Sequence, residues 1–465
     1  MEKFDVTVIG GGPGGYPAAI RAAQLGASVA LVEKEELGGT CLNWGCIPTK
    51  TLIASSELFH KMTHSAGIGL SAGNASFDYS AMSKRKDDVV GKLRGGVGML
   101  LKANGIKIFN GTASFAGRNR ITVAGDDGKE AAVIETGATI IASGSESTVP
   151  GFIPKSDRIV ESKAFLNLKK LPSSLIVLGG GVIGCEFACM AAQLGCKVTV
   201  VEMLEDILII LDADVRRELR SNMEKSLGIR VLTGKPMEKI VAGKSSVSGM
   251  VGDEKVEAEM MIVAIGRRPV TKGLGLDKVG IETNKAGFIP VDDYCRTSVA
   301  TIYAIGDVNG GIQLAHAATS QGITAAENIC TKERKKAEKL VPSCIFTSPE
   351  IGSVGLTEQA AKEKGLNIKT GKFMFAALGK AMAAAEERGF VKWVVDAATD
   401  QLLGAHAIGA HATELISEAA TAIRAELTAG EIGRTVHCHP TFSEVWMEAA
   451  HAVHGTCIHA APKKR

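Results

Sequence analysis

The sequence predicts an α/β chain in which one strand–helix–strand unit occurs twice, and three observations carry that expectation. Its 465 residues exceed one ordinary core and suit about three domains. Residues 10–33, "GGGPGGYPAAIRAAQLGASVALVE", and residues 179–202, "GGGVIGCEFACMAAQLGCKVTVVE", are two copies of one pattern. Each copy follows a short apolar run, "FDVTVIG" or "SLIVLGG", and leads into a second run, "SVALVE" or "KVTVVE". Short apolar runs bounded by glycine read as buried strands, and the alanine-rich stretch between them reads as a helix.

Each copy sets its glycines in a G-x-G-x-x-G pattern, at Gly10, Gly12 and Gly15 and again at Gly179, Gly181 and Gly184. Each ends with an acid 23 positions after its first glycine, Glu33 or Glu202. Glycines at this spacing allow a tight turn and close backbone approach to a pyrophosphate, which the positive end of the following helix attracts. The acid then reaches the adenosine ribose hydroxyls. One such motif is a weak signal, but two in matching context predict two Rossmann-like dinucleotide sites. The first copy leads directly into Cys41 and Cys46, and a thiol pair needs a carrier able to exchange electrons with sulfur, so this copy is assigned FAD. The second is assigned the nicotinamide. There Glu202 repels a 2′-phosphate and "VVEMLED" offers no arginine to accept one, which favours NAD over NADP.

In "GGTCLNWGCIPTK", residues 38–50, the two cysteines stand five positions apart. A disulfide needs its Cα atoms within about 7 Å, whereas five residues of regular helix advance about 7.5 Å, so the segment is expected to be distorted or only partly helical. Pro48 fits the first turn of a helix continuing as "TKTLIASSELFHKM", which puts Cys46 near that helix's positive end and favours its thiolate. A zinc half-site, a structural disulfide and two unrelated buried thiols compete with a reactive pair. Zinc would need a second ligand pair, yet the chain has no C-x-x-C, and no metal site is expected. The other eight cysteines read as small buried hydrophobes.

Composition narrows the function further. Formal net charge is +3, and the basic runs "KERKKAEK" (332–339) and "PKKR" (462–465) read as a solvated helix face and a solvated tail, not as a nucleic-acid surface. The chain goes almost directly into "FDVTVIG", so no targeting segment is expected, and no apolar stretch reaches the roughly 18 residues of a membrane helix. No membrane is expected, and the cytoplasm, where thiols are kept reduced, is the expected compartment.

These motifs together resemble the flavin-dependent pyridine nucleotide-disulfide oxidoreductases of class I, over nearly the whole chain, and within them the branch that oxidises dihydrolipoamide. "GGTCLNWGCIPTK" is similar to the family's redox-disulfide motif, with Trp44 and Thr49 where other members often have valine and serine. "TIIASGS" (139–145), which includes Gly144, resembles the strand returning to the flavin, and "TIYAIGDV" (301–308) the motif whose aspartate, here Asp307, binds the ribitol. "QLAHAATSQG" (313–322) resembles a helix start whose Ala315 amide faces the flavin ring, and "GTASF" (111–115) a loop where Ala113 touches FAD through its backbone. "AIGRRP" (264–269), with Gly266, is similar to the segment closing the NAD site. The resemblance also pairs Lys50 with Glu186 near the flavin.

"HCHPTFSE" (437–444) resembles the family's carboxy-terminal motif. A dithiol must lose a proton before it attacks a disulfide, and His439 is the side chain suited to take it near neutral pH, with Glu444 orienting the ring. On an extended segment His437 and His439 point in opposite directions and make a poor chelate. In the family this base enters the partner subunit's site, which implies an obligate homodimer, and "CIFTSPEIGSVGLTE" (344–358) resembles the start of the interface domain. The implied cycle passes electrons from dihydrolipoyl groups through Cys41, Cys46 and FAD to NAD. The implied partners are lipoyl domains of the acyltransferase components of 2-oxoacid dehydrogenase complexes.

The expected organisation is an FAD domain (1–146), an NAD domain (147–270), a central segment completing the FAD site (271–342) and a C-terminal α+β dimerisation domain (343–465). Glutathione, trypanothione and mercuric reductases share the paired-cysteine motif. Glu202 argues against the NADP-dependent members, and "HGTCIHAAPKKR" lacks the paired cysteines of a mercuric reductase.

Overall fold

The computed structural model describes residues 1–125 and 127–461, so the "PKKR" tail lies outside the described residues. Three large sheets organise the chain. In the first, the strands Lys107–Asn110, Val29–Glu33, Glu2–Ile9 and Glu130–Ile141 lie side by side and parallel. The first half of Glu130–Ile141 also carries an antiparallel meander, Arg120–Ala124 and Thr112–Gly117. Its second half accepts the strand Ile302–Ala304, which pairs parallel at Thr139 to Ile141. The chain thus returns to its first sheet after building a second one.

That second sheet is entirely parallel, in the order Arg230–Thr233, Lys197–Glu202, Ser174–Leu178, Met260–Val263, Ile159–Glu161. Strands buried on both faces read as continuous apolar runs, and "SLIVL" and "MMIV" do. Where the chain leaves the first sheet and where it comes back, Ser145–Ser147 and Arg267–Pro269 pair with each other as a short antiparallel ribbon.

The third sheet is antiparallel, in the order Ser343–Ile345, Ile351–Gly355, Leu402–Gly409, Gly389–Asp396, Ile368–Met374. The helices Ala412–Arg424 and Glu444–Val453 cover one face of it. Trp393 and Trp446 are fully buried there with ring centroids 4.6 Å apart. Buried indole N–H groups need acceptors, and these find the carbonyls of Trp446 and Leu415 at 3.1 and 3.0 Å.

The basic run 332–339 departs from its sequence reading. The helix Ala315–Cys330 ends before it, and residues 333–342 form an irregular strap. Its cations are not merely solvated: Lys335 reaches Glu327 at 2.9 Å and Lys339 reaches Asp293 at 2.8 Å. A charge-rich run has no preference for a helix face over a strap, and the acids that hold Lys335 and Lys339 come from outside it.

Among the described residues no helix is long and apolar enough to cross a membrane.

Candidate active site

The two glycine loops meet the same constraints at their first and third glycines. Gly10 and Gly179 take positive φ, 101° and 111°, and a Cβ on either would collide with the carbonyl of Ala142 or Ala264 on the neighbouring strand. A Cβ on Gly15 or Gly184 would collide with the carbonyl of Gly10 or Gly179, so the third glycine lets the helix close onto its strand. The middle glycine differs. A Cβ on Gly12 would meet nothing nearer than Gly39 Cα at 3.8 Å, and one on Gly181 would meet nothing within 4 Å. The protein's own packing therefore requires the first and third glycines, and the second faces open space at the start of Gly15–Gln24 or Val182–Gln193.

The two acids are held alike. Glu33 accepts hydrogen bonds from the N–H groups of Gly11 (2.6 Å) and Glu35 (2.8 Å), and Glu202 from those of Gly180 (2.7 Å) and Leu204 (2.8 Å). Each carboxylate sits at the lip of its glycine loop, the place a ribose adjoins a pyrophosphate. An open cradle with an acid beside it fits a dinucleotide, and the chain has two.

Between the loops lies the cysteine pair. The helix Gly39–Trp44 stops at Gly45, whose backbone (φ −137°, ψ −113°) breaks the helical run, and a new helix, Cys46–Thr63, starts at the second cysteine. Glycine suits the break, because a Cβ there would fall 2.8 Å from the Thr40 carbonyl oxygen and 3.2 Å from Cys41 Cα. The break brings two half-buried free thiols close enough to share a proton. This sharing, aided by the Lys50 ammonium, outweighs burial and holds the Cys46 thiol below the usual thiol range. The same sharing, with burial, pushes the Cys41 thiol up. The pair is polarised, with its charge on Cys46.

Lys50, one helical turn beyond Cys46, is 2.7 Å from both carboxylate oxygens of the buried Glu186, on the helix of the second glycine loop. Glu186 also accepts the N–H of Phe346 at 2.9 Å, and the Lys50 ammonium sits 4.8 Å from the centre of the Phe346 ring. Three distant segments meet at this one cation. On the other side the Lys163 ammonium lies 3.8 Å above the Trp44 ring and 2.9 Å from Glu35.

Asp307 lies in the short helical turn Gly306–Asn309, where the Ser145 hydroxyl donates to it. Arg267 donates to the Ser145 hydroxyl at 2.7 Å and stands 3.8 Å from Asp307. Gly144 (φ 70°) and Gly266 (φ 134°) adjoin the two strands of the short ribbon, and a Cβ on either would meet nothing within 4 Å. Ala113 is buried in the strand Thr112–Gly117, and Ala315 is the first residue of its helix. Sequence reasoning did not assign Ser145, Arg267 or Phe346. All three lie inside quoted motifs, but Phe346 stands in the one read as the start of the interface domain, which gave no reason to place it at Lys50.

The carboxy-terminal motif forms a separate cluster. His439 precedes a cis peptide bond to Pro440, and its Nδ1 is 2.9 Å from Glu444 Oε1. The other Glu444 oxygen accepts the Thr441 N–H at 2.9 Å. Burial works against the charge on Glu444, but that N–H and His439 together hold its carboxyl below the usual range. Glu444 is mostly covered while the His439 side chain is 77% exposed, so Nε2 is left facing outward. His437 turns elsewhere, to Glu418 at 2.7 Å and the Thr435 carbonyl at 2.9 Å. Among the described residues no group of three or more potential ligands could hold a metal ion. Nor does any hydrogen bond among them join His439 to Cys41 or Cys46 within one chain.

Of the other cysteines, residues 185, 189, 196 and 295 are buried as expected, and 330, 344 and 457 half-buried. Cys438 is exposed, on the irregular segment between the two histidines.

Two dinucleotide cradles bracketing a polarised thiol pair define a redox enzyme that links a nicotinamide to sulfur. Comparison with known proteins agrees. Residues 4–322 match the pyridine nucleotide-disulphide oxidoreductase family, and residues 341–450 match its dimerisation domain. A dihydrolipoyl dehydrogenase of Chlamydia muridarum is 42% identical over 467 aligned positions, covering 100% of both chains. One from Chlorobaculum tepidum is 43% identical over 96% of each. The crystal structure of LpdA from Mycobacterium tuberculosis superimposes with a TM-score of 0.90 at 26% identity, over 97% of this chain and 99% of that one. The chain belongs to the pyridine nucleotide-disulphide oxidoreductase family. It is an oxidoreductase that uses FAD and NAD, and through the dimerisation domain it forms a homodimer.

Proposed function

We propose that the protein is a dihydrolipoyl dehydrogenase, oxidising dihydrolipoyl groups to lipoyl groups while NAD is reduced to NADH. The observation that carries this reading is the Cys41–Cys46 pair, brought together by the helix break at Gly45 beside two open glycine loops, with Lys50 one turn on held by Glu186. Gly10, Gly12, Gly15, Glu33, Ala113, Gly144, Asp307 and Ala315 would hold FAD, and Gly179, Gly181, Gly184, Glu202 and Gly266 would hold NAD. FAD, when bound, supplies a two-electron carrier between the thiols and the nicotinamide.

The thiol steps belong to the chain's own residues. His439 of one protomer, oriented by Glu444, takes a proton from the dithiol bound at its partner. The resulting thiolate attacks the Cys41 sulfur of the oxidised pair, forming a mixed disulfide and expelling Cys46 as a thiolate. Thiol–disulfide exchange favours a leaving thiol of low pKa, and Cys46 is the member of the pair held low. The second substrate thiolate then attacks the mixed disulfide, releasing the cyclic disulfide and leaving Cys41 and Cys46 reduced. Dihydrolipoamide and NAD yield lipoamide, NADH and a proton.

We assign the working unit to residues 1–146 for FAD, 147–270 for NAD, 271–342 for completing the FAD site and 343–465 for dimerisation. Its partners would be lipoyl domains of acyltransferase components in 2-oxoacid dehydrogenase complexes, in the cytoplasm. The test is to mix the purified flavoprotein with dihydrolipoamide and either NAD or NADP, following reduced nicotinamide. Rapid NADH formation, little NADPH and almost no turnover in Cys46→Ser are expected. A wild type inert towards dihydrolipoamide that reduces another disulfide with NADPH would overturn both the substrate and the role given to Glu202.

A further inference from the structure

The stretch after Glu202 contains no arginine, yet the fold brings two to it. Arg216 and Arg220 stand on the helix Ala213–Lys225, and both reach back to Asp206. Arg216 Nη1 is 2.7 Å from one carboxylate oxygen of Asp206, and Arg220 Nη1 is 3.3 Å from the other. Arg220 Nη1 is also 3.4 Å from the hydroxyl of Thr233. Thr233 is the direct register partner of Glu202 on the adjoining parallel strand, and neighbouring strands lie about 4.8 Å apart. Arg220 therefore stands at the carboxyl-terminal edge of the sheet beside Glu202, where open α/β sheets take their ligands.

The surroundings are cationic. Arg216, Arg217, Arg220 and Lys225 line a cavity of about 410 Å³ together with only two acids, Asp206 and Glu224. Arg217 is drawn to Asp214 at 3.2 Å and Arg220 is also shared with Glu224 at 3.1 Å, while Asp206 engages two guanidinium groups at once. Guanidinium is the side chain best matched to a phosphate, so without Asp206 this edge would suit a 2′-phosphorylated ribose.

We infer that Asp206 is a specificity-determining residue for the nicotinamide dinucleotide, acting by occupying the two arginines that would otherwise receive a 2′-phosphate. Glu202 excludes the phosphate by direct repulsion, and Asp206 excludes it by removing its counter-charge. The inference rests on the reading of Glu202 as the ribose acid of the second site, and the experiment separates the two.

The FAD-loaded dimer is titrated with NADH, and 5′-AMP and adenosine 2′,5′-bisphosphate, which differ only by the 2′-phosphate, are used as competitors. Wild type, Asp206→Asn, Glu202→Gln and the double variant are compared. Asp206→Asn keeps the side-chain shape and the acceptor for the Ile207 N–H while removing the charge. Its preference for the bisphosphate over 5′-AMP should rise about tenfold, the size of one charged hydrogen bond gained, with 5′-AMP binding unchanged. The double variant should exceed either single one. An unchanged preference in Asp206→Asn, with a rise in Glu202→Gln, overturns the inference and leaves the reading of Glu202 standing. A rise in Asp206→Asn with none in Glu202→Gln supports the inference and overturns that reading. Equal weakening of both competitors in Asp206→Asn shows a merely structural role and overturns the inference.

Discussion

At Cys46 several effects compete, and their balance decides the chemistry. Burial disfavours a thiolate; a proton shared with Cys41 and the cation of Lys50 favour it, and the second group wins. Lys50 is in turn fixed by Glu186 and Phe346, so replacing it by methionine keeps the apolar stem and removes only the charge. Removing a nearby cation raises a thiol's pKa. In Lys50→Met the pH midpoint for alkylation of the reduced enzyme by iodoacetamide should therefore move up, with Lys50→Arg in between. An unmoved midpoint would mean that Cys41 alone sets the polarity. The close cysteines were legible in the sequence, as was the need for a break between them. Phe346 was not, because a phenylalanine on an irregular segment carries no signal of what its backbone N–H will meet.

At the level of elements, the strand–turn–helix unit uses its three glycines for different reasons, and substitution should tell them apart. Gly181 has φ −77°, which any residue tolerates, and a Cβ there has nothing within 4 Å. Gly181→Ala should unfold together with wild type in thermal melts yet, with the second loop holding NAD as proposed, bind NADH at least about tenfold more weakly, because the methyl would fill the open space left for the pyrophosphate. Gly184→Ala should instead lose stability, by about 1–3 kcal/mol, because its methyl meets the Gly179 carbonyl inside the protein. Equal melting of the two variants would show that the cradle is not the open space described. The repeat, its glycines and its acids were readable because their spacing is itself the physics of the turn. The strap at 333–342 was not, since charge pattern alone leaves helix and loop equally solvated.

Across the whole molecule, the second and third sheets are joined by a buried charge cluster. Lys392 and Asp212, 3% and 2% exposed, meet at 3.1 Å, and Lys392 also reaches Asp214 at 3.2 Å and Glu358 at 2.6 Å. The buried His406, register partner of Lys392, lies against the same group, with Nε2 on the Leu356 carbonyl at 3.0 Å. Lys392→Met should cost about 3–5 kcal/mol in urea unfolding of the FAD-loaded dimer, since it strands a buried carboxylate. A cost near zero would mean that water replaces the ammonium. The pH dependence follows from the signs. Asp212 is held below the usual carboxylate range by His406 and Lys392 against the opposing effect of burial, so its contribution is present above that range and is lost as pH falls through its depressed pKa. Lys392 is raised by Glu358 and Asp212 against its own burial, so its contribution is present below the usual lysine value and is lost as pH rises through the raised one. Burial holds the His406 imidazole below its ordinary value near 6.5, so stability already declines as pH drops below that value. Lys392→Met should flatten the alkaline limb of the stability profile.

The sequence by itself determined the two glycine loops with their acids, the close cysteine pair after the first and the His439–Glu444 contact, because each depends on residues within a few positions of one another or on a spacing repeated along the chain. Tertiary structure alone decided which distant groups complete them: Glu186 and Phe346 on Lys50, Ser145 and Arg267 on Asp307, Arg216 and Arg220 on Asp206. Local spacing fixes backbone geometry, whereas the partner of a charge is whichever opposite or polar group the folded sheets carry to it. The absence of an arginine from seven residues of sequence therefore did not mean its absence from the folded neighbourhood of Glu202.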